Sequence, residues 1–403
     1  MRVDVSVSVI VREFEVNKDK ERVEAVERTC EVGPSNQLSL FTDMLGDPIC
    51  RVRHSPSYLM LVAEIDKEIV GMIRGCIKTV TCGKNLSRSK TSVTKHIPIY
   101  TKLAYILGLR VSPNQRRMGI GLKLVKKMEA WFKDNGAEYS YMATETENLA
   151  SVKLFTEKCG YTKFRTPSIL VNPVYAHRTK ISRKVTIIPL TPSDAVIFYR
   201  NRFSTTEFFP NDIDAVVNNK LSLGTFLAVP SGSYSVKTWP GPDRFLLGPP
   251  CSWAILSVWN SKEVFKLEVR GASRVKRGLA KTTRILDRAL PWLKVPSVPD
   301  LFRPFGFHFL YGLGGEGPKK LKMVKALCEF AHNLAMECGC GVVATEVASC
   351  EPLRFGIPHW KMLSCANDLW CIKRLVDDYS DGSIGDWTKS MPGISIFVDP
   401  REI

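Results

Sequence analysis

Between Arg116 and Gly121 the chain reads Arg-Arg-Met-Gly-Ile-Gly, and this short segment carries more information about the fold than any other. It follows an apolar run, Leu103–Val111, that predicts a β-strand, and it precedes Leu122–Asn135, which predicts an amphipathic helix. A glycine loop between a strand and a helix lets backbone N–H groups converge on an anion, and the helix N-terminus adds its positive end. Glycine is needed because a side chain would hold a phosphate away from the amides. The segment therefore predicts a phosphate-binding turn.

Two common phosphate-binding motifs do not fit this turn. A dinucleotide-binding fingerprint needs a third glycine, and Leu124 stands at that position. A P-loop needs Gly-Lys followed by Ser or Thr, and the sequence does not contain it. The pattern that remains, Arg/Gln-x-x-Gly-x-Gly/Ala, is similar to the pyrophosphate loop of the acetyl-CoA-dependent acetyltransferases of the GNAT superfamily.

A second segment carries the same resemblance. From Asn148 to Tyr161 the chain reads Asn-Leu-Ala-Ser-Val-Lys-Leu-Phe-Thr-Glu-Lys-Cys-Gly-Tyr, which resembles the later superfamily motif Asn-x-x-Ala/Ser-x-x-Leu-Tyr/Phe-x-x-x-Gly-Phe/Tyr. The two motifs also occur in the order in which the superfamily has them. The resemblance implies an α/β fold with a mixed sheet, the acyl-CoA N-acyltransferase (GNAT) fold, with acetyl-CoA as cosubstrate and no metal.

Further stretches are similar to one branch of that superfamily, the plant Hookless-type N-acetyltransferases. They extend over essentially the whole chain: Cys30–Ser35, Leu38–Asp43, Gly46–Arg51, His54–Glu64, Gly71–Thr81, Arg202–Pro210, Gly356–Lys361 and Phe397–Glu402. This resemblance implies a nuclear regulator of differential growth that is linked to hormone signalling. It also implies a protein amine as acceptor, with histone lysines as candidates.

The resemblance to the superfamily implies which residues contact acetyl-CoA. The pantetheine arm is expected along the end of the predicted strand and the pyrophosphate over the loop amides, while Asn148 holds the arm of the cofactor. The expected cofactor-binding residues are Leu109, Arg110, Val111, Arg116, Arg117, Met118, Gly119, Ile120, Gly121, Leu122, Asn148 and Phe155.

The sequence departs from the superfamily pattern at the catalytic acid and base. The tyrosine that protonates the departing CoA thiolate in many members is Phe155 here, and a phenyl ring cannot donate a proton. The glutamate base is replaced by Tyr105, and tyrosine is a poor base near neutral pH. Glu145 is the nearest carboxylate and our second candidate, although an acid there also favours the start of the following helix.

These departures leave two hypotheses open. A missing acid or base each costs on the order of 10²–10⁴ in rate. The chain is therefore either an acetyltransferase acting on protein amines, which we favour, or a catalytically silent CoA-binding scaffold.

Composition indicates an intracellular globular protein. The chain has 403 residues, of which 44% are hydrophobic and 24% are charged, as in ordinary soluble domains. No apolar run approaches the roughly 20 residues that span a bilayer, and the N-terminal residues lack the core of a signal peptide. The 12 cysteines and 6 histidines are scattered rather than spaced as metal ligands. We therefore expect neither a metal site nor a membrane partner.

Net charge is +17 and is concentrated in one window. From Ile69 to Met128 the chain contains 13 Lys and Arg residues and no Asp or Glu. Such a field would steer the phosphates of CoA toward the loop. The alternatives are a nucleic-acid surface, which we disfavour, and lysines that are simply solvated. Whether the chain forms a homo-oligomer stays open.

The length suits two domains, and the second half echoes the first. Gly312–Gly317 predicts another glycine loop before a helix, and Gly341–Glu346 repeats the Ala-Thr-Glu that ends at Glu145. Glu316 would repel a pyrophosphate. We predict a GNAT domain over 1–173 that binds acetyl-CoA and a diverged GNAT-like domain over 174–403 that is structural or binds a partner. We also predict a short helix over Leu40–Leu45 and a mobile loop over Cys82–Ile97.

Overall fold

The fold was analysed in a computed structural model that describes residues 8–30, 39–88, 95–365, 368–377 and 385–403. The strands are β1 Ile10–Glu13, β2 Ser39–Asp43, β3 Ser57–Ile65, β4 Glu68–Arg88, β5 Lys95–Val111, β6 Tyr139–Glu145, β7 Thr162–Arg165, β8 Ser168–Pro173, β9 Val185–Leu190, β10 Ser222–Pro230, β11 Trp253–Asn260, β12 Lys266–Arg270, β13 Phe307–Glu316, β14 Val342–Val347 and β15 Asp368–Arg374. The helices are α1 Val16–Thr29, α2 Ile120–Asp134, α3 Leu149–Lys153, α4 Pro192–Phe203, α5 Ile213–Val217, α6 Pro242–Leu247, α7 Arg274–Ala289 and α8 Lys320–Glu337, and one turn of π-helix, Leu154–Lys158, follows α3.

Most strands belong to two mixed sheets. The first sheet has the strand order β1-β3-β4-β5-β6-β15-β7, and the second has the order β8-β14-β13-β11-β10-β9. In each sheet one parallel pair interrupts a mainly antiparallel arrangement, namely β5 with β6 and β13 with β14. A strand–helix–strand unit with a parallel strand pair thus occurs in both halves, as β5-α2-β6 and as β13-α8-β14, as the echo in the sequence predicted.

The two halves exchange one strand each. β15, from the C-terminal part of the chain, lies between β6 and β7 of the first sheet. β8, which precedes residue 174, pairs with β14 at the edge of the second sheet. The predicted division at 173/174 stays a prediction, but each sheet contains a strand from the other side of that boundary.

The elements form layers around three apolar cores. The largest core lies between the sheets and is rich in aromatic side chains. A second core lies between the first sheet and α2, and a third between the second sheet and α8. Apolar residues of α2 recur at helical spacing and are buried on the sheet. A Cβ at Gly75 of β4 would collide with Met128 and Phe132, so glycine there lets α2 pack closely.

Three local predictions differ from the structure. Leu40–Leu45 is not helical, because Ser39–Asp43 pairs with β12 as a two-stranded ribbon. Most of the predicted loop Cys82–Ile97 is strand, since β4 continues to Arg88 and β5 begins at Lys95, while 89–94 lie outside the described residues. Gly312–Gly317 is mostly the end of β13 rather than a loop.

A buried ion pair ties the first sheet to the segment after α4. Nη2 and Nε of Arg165 donate to Oε1 and Oε2 of Glu207 at 2.5 and 3.1 Å. Glu207 also accepts from Trp387 Nε1 at 3.2 Å and from the N–H of Gly393 at 3.3 Å. Both charged side chains are nearly inaccessible to water. Each therefore depends on the other for its compensating charge.

We expect Glu207→Ala to lower the free energy of unfolding by about 3–5 kcal/mol, because it leaves Arg165 buried without its counter-charge. Chemical denaturation monitored by circular dichroism would measure the loss. Glu337→Ala is the matched control, since its pair with Arg178 is largely exposed, and such a change is usually within about 0.5 kcal/mol. Equal midpoints for the two variants would contradict this account of the buried pair.

Candidate active site

A gap between β5 and β6 forms the centre of the candidate site. The two strands pair in parallel from Leu103 with Tyr139 to Ile106 with Met142, and the described residues show no pairing beyond that point. β5 also contains a bulge, because the register against β4 shifts between Arg74–Leu107 and Met72–Arg110. The bulge and the divergence together release backbone groups of β5 from the sheet, where an extended ligand can bind them.

The N-terminus of α2 lies directly after the end of β5. Arg117 has φ 67° and Gly119 has φ 77°, so two left-handed residues turn the chain into the helix. Among the described residues no side chain caps α2, and the first-turn N–H groups of a helix have no intrahelical partner. This is the arrangement that binds a phosphate. Arg116, Arg117 and Met118 are exposed beside it.

Gly121 lies on the side of α2 that faces the end of β5. A Cβ there would lie 3.3 Å from Leu154 Cδ2, 3.9 Å from Val111 Cγ2 and 4.0 Å from Leu109 Cδ2. A larger side chain would therefore fill the space between β5 and Leu154. Ile120 is buried and Leu122 is half-buried, so both pack as core residues while their backbone stays in the first helical turn. This cradle fits a CoA arm that runs along β5 to the helix N-terminus.

Three other expected cofactor-binding residues, Arg110, Asn148 and Phe155, make contacts within the protein. Arg110 turns toward α1, where its Nε lies 3.6 Å from Glu27 Oε1. Asn148 is the N-cap of α3, and its Oδ1 accepts from the N–H of Ser151 at 3.2 Å. Phe155 is fully buried and packs edge-on against Tyr161, with ring centroids 5.1 Å apart.

Tyr105 is stacked on Tyr141 at the base of the gap, with ring centroids 4.5 Å apart. The Tyr141 hydroxyl donates to Glu402 Oε2 at 2.7 Å, and Lys78 Nζ donates to the same oxygen. Burial raises the pKa of both tyrosines well above their ordinary value of 10.0. Both phenols are therefore protonated at neutral pH and are available as hydrogen-bond donors. The role of Tyr105 in catalysis stays a prediction.

Two carboxylates that the sequence analysis did not select also lie near this site. Asp368 of β15 is paired in register with Glu145 of β6. Glu346 of β14 reaches it from the other sheet, and Nε1 of Trp370 contacts Glu346 Oε1 at 3.1 Å and Asp368 Oδ2 at 3.2 Å. Burial raises the pKa of Asp368 to about 6 and that of Glu346 well above its ordinary range.

A sequence signal for Glu346 existed, since Ala-Thr-Glu ends both β6 and β14. What the sequence did not reveal is that the exchanged strand β15 brings the ends of these two strands together. Asp368 had no comparable signal. Glu145 itself is exposed at the end of β6.

The corresponding region of the second half is filled by side chains. A Cβ at Gly312 would collide with Tyr199, and one at Gly314 would collide with Phe203. Glu316 forms an ion pair with Arg202. Glycine in this segment thus allows close packing of β13 on α4, and α8 begins later, at Lys320.

A diverging parallel strand pair in front of an uncapped helix N-terminus defines the class of acyl-CoA-dependent N-acyltransferases. The model of the acetyltransferase (GNAT) family matches residues 22–161. The chain is 69% identical over 414 residues to Probable N-acetyltransferase HLS1-like of Arabidopsis thaliana, which covers 99% of this chain and 100% of that protein. It is 38% identical over 440 residues to Acetyl transferase GW6a of Oryza sativa subsp. japonica, covering 99% of this chain and 98% of that protein. The chain belongs to the GNAT acetyltransferase family, in the branch of these plant proteins.

The fold of the whole chain also has a solved counterpart. Saccharomyces cerevisiae N-myristoyltransferase with bound myristoyl-CoA matches 91% of this chain and 79% of its own length with a TM-score of 0.51 at 10% identity. This likeness concerns the fold alone, and it agrees with the predicted tandem GNAT fold, which is confirmed. The fold uses acyl-CoA.

The described residues also bear on membrane and metal binding. In that part of the chain no helix has the length and hydrophobicity needed to cross a bilayer. The same residues contain no group of three or more His, Cys, Asp or Glu side chains arranged to hold a metal ion.

Proposed function

We propose that this protein transfers the acetyl group of acetyl-CoA to an amine. The observation that carries this proposal is the divergence of β5 from β6 after Ile106–Met142, directly in front of the uncapped N-terminus of α2. Backbone groups of β5 would hold the pantetheine arm, and the amides of Arg116–Leu122 would bind the pyrophosphate. Holding the thioester beside an amine removes much of the entropic barrier to transfer.

The chain's own residues supply the remaining chemistry of this proposal. Leu109 and Val111 line the pantetheine arm, and Asn148 caps the N-terminus of α3. The Tyr105 hydroxyl serves as a hydrogen-bond donor at the base of the gap between β5 and β6. Glu145 provides a further carboxylate at the end of β6, beside this gap. The thiolate of CoA is a fair leaving group, so the reaction can proceed without an acid at Phe155.

We further propose that the acceptor is a protein amine, with histone lysines as the first class to test. Kinship with the Hookless-type proteins supports a nuclear regulator of differential growth and hormone response. A fluorescent fusion that stays outside the nucleus would contradict the proposed location. We expect acetyl-CoA and an acceptor protein as partners, rather than nucleic acid or a membrane. Sedimentation at several protein concentrations tests whether the chain also forms a homo-oligomer.

The second half is proposed to be structural or partner-binding. The packing of Tyr199 and Phe203 against Gly312 and Gly314 supports this, because those side chains fill the space that a cofactor arm would need. The alternative function, a catalytically silent CoA-binding scaffold, is favoured by one observation: Phe155 provides no acid.

Calorimetric titration with acetyl-CoA, followed by an acceptor panel on the same preparation, tests the proposal. The panel contains cationic histone-tail peptides, acidic lysine-containing peptides and spermidine. We expect one acetyl-CoA per chain and acetylation of at least one acceptor. Two sites per chain, or no binding, would refute the assignment of the cofactor to the first half.

We expect Phe155→Tyr to raise turnover, by up to about 10²-fold, because it adds a proton donor at the position where many relatives have one. Phe132→Tyr is the matched control, since Phe132 is also fully buried in the same core and lies on α2. Acetyl transfer under saturating acetyl-CoA measures the effect. An unchanged rate with intact acetyl-CoA affinity would show that the missing acid does not limit the reaction.

A further inference from the structure

We propose that Asp368 is the general base that takes the proton of the acceptor amine, and that Glu346 positions it. This inference rests on the proposed function, because it names the base of the same reaction. The observation behind this inference is the strand exchange, which inserts β15 beside β6 and thus next to the gap between β5 and β6.

The sheet register places Asp368 on the same face of the first sheet as Tyr105. Side chains alternate along a strand, so Tyr141, Ala143 and Glu145 share one face of β6. Their partners on β15 are Ile372, Trp370 and Asp368, in that order. Tyr105 stacks on Tyr141 on this same face. Asp368 therefore lies on the Tyr105 face of the sheet, where β6 has already separated from β5.

Trp370 fixes the carboxylate in place. Its indole N–H contacts both Asp368 Oδ2 and Glu346 Oε1, and its ring packs on Tyr141 with centroids 5.2 Å apart. Asp368 is buried, with 7% of its surface exposed, and Glu346 is half-buried, so the pair is largely desolvated but keeps limited access to water. A buried pair of acids held by one tryptophan is difficult to explain by stability alone, since desolvation disfavours their charges.

The protonation states suit a base at neutral pH. Burial raises the pKa of Asp368, hydrogen bonds from Glu346, Trp370 and the N–H of Leu369 oppose the rise, and the negative charge of Glu145 adds to it, so that the pKa is about 6. Burial and the charge of Asp368 raise the pKa of Glu346 well above its ordinary range. The hydrogen bond between the two carboxyls raises the pKa of Glu346 and lowers that of Asp368, so Glu346 is the donor and Asp368 the acceptor.

The groups that act on the pair are mainly acidic, and the nearby cation Lys78 is itself paired with Glu402 and Asp399. The negative charge of Glu145 on β6 raises the pKa of Asp368, and that of Glu402 in the C-terminal segment raises the pKa of Glu346. The charges of both carboxylates raise the pKa of the Tyr105 phenol on β5, and the positive charge of Arg51 lowers it. A cationic ammonium is therefore attracted to this end of the gap despite the net charge of +17.

The proposed step is a proton transfer followed by transfer of the acetyl group. The ammonium of the acceptor gives one proton to the Asp368 carboxylate, and the free amine attacks the carbonyl carbon of the thioester. A C–N bond forms, the C–S bond breaks, and the CoA thiolate takes the second proton of the nitrogen. Asp368 then returns its proton to solvent, so that ammonium and acetyl-CoA become amide, CoA thiol and one released proton.

The test compares pH profiles of kcat/KM for the full-length protein and its variants, using the best acceptor of the panel between about pH 5 and pH 8. In the wild type we expect the rate to rise with pH through about 6, because only ionised Asp368 can accept a proton. Asp368→Asn should remove this rise and lower the rate by about 10²–10⁴-fold. Trp370→Phe should move the rise to higher pH, because the indole N–H stabilises the carboxylate.

Two further readouts separate a catalytic from a structural role. Asp368→Asn should bind acetyl-CoA like the wild type and melt at the same or a higher temperature at pH 7. The pKa of Asp368 is higher in the folded than in the unfolded state. The folded state therefore loses stability as pH rises from the unfolded pKa to the folded pKa of this carboxyl, and Asp368→Asn removes that loss. Glu346→Ala removes the hydrogen-bond donor to Asp368 and should lower kcat/KM, whereas Glu346→Gln supplies an amide donor and should restore most of it. The exposed Asp377→Asn serves as the unaffected control.

The outcomes are distinguishable. Transfer by the wild type with an undiminished rate in Asp368→Asn would overturn this proposal and leave the proposed function standing. Loss in Glu346→Gln but not in Asp368→Asn would assign the base to Glu346 and overturn the proposal as stated. A wild type that binds acetyl-CoA but acetylates no acceptor at any pH would overturn the proposed function and this inference together.

Discussion

A fragment of residues 1–180 should fail to fold. It lacks β15, so β6 and β7 lose the strand that lies between them in the first sheet. It also lacks most of the second sheet, α4 and the C-terminal segment, so the apolar side chains of the first sheet that line the core between the sheets become exposed. Burial of one large apolar side chain contributes about 1.5–3 kcal/mol, so the loss of several approaches or exceeds the 5–15 kcal/mol typical of total stability. Thermal unfolding by circular dichroism should show no cooperative transition.

Co-expression of 1–180 with 181–403 is the control for that experiment. The break falls near the exposed residues Lys180 and Arg183, outside every strand and helix, so both sheets can assemble from the two pieces. We expect the pair to co-purify and to bind acetyl-CoA. A fragment 1–180 that melts cooperatively and binds acetyl-CoA with the affinity of the full chain would contradict the importance of the exchange.

Gly121→Leu should abolish measurable binding of acetyl-CoA. The new side chain would enter the space between Leu154 and the end of β5, where the CoA arm is proposed to run. We expect a loss of at least about 100-fold, which corresponds to about 2.8 kcal/mol. The fold should survive, because leucine favours the helix more than glycine does. Calorimetric titration measures the affinity directly.

Gly278→Leu is the matched control for this variant. Gly278 also lies within a helix, α7, and a Cβ there meets no atom within 4 Å. Its acetyl-CoA affinity should equal that of the wild type. If Gly121→Leu keeps that affinity as well, the cofactor arm does not run past this position.

Local patterns in the sequence were sufficient to predict the strand, glycine turn and helix around Arg116–Gly121. These elements follow one another directly, so they could be interpreted without knowledge of distant contacts. The same reasoning predicted a glycine loop at Gly312–Gly317, where the structure has mostly the end of β13 and the glycines allow Tyr199 and Phe203 to pack closely. The sequence pattern is alike in both cases, and the difference lies in which side chains occupy the neighbouring space.

Features that depend on distant pairing could not be predicted in this way. Leu40–Leu45 contains a strand because of its partner β12, more than 200 residues away in the chain. Asp368 and Glu346 were missed for the same reason, since they meet only when β15 enters the first sheet beside β6. Tyr105 was selected because it stands where the superfamily has its glutamate base, and Glu145 because it is the nearest carboxylate, at the end of the next strand.

Single-turnover acetyl transfer tests the central claim most directly. Full-length protein loaded with one equivalent of isotopically labelled acetyl-CoA is mixed with the acceptor panel, and the labelled products are identified by mass spectrometry. We expect the label to appear as an amide on an amine acceptor, with free CoA thiol formed in equal amount, and to be lost in Asp368→Asn. Acetyl-CoA that binds but remains intact with every acceptor would contradict the claim and identify the protein as a CoA-binding scaffold.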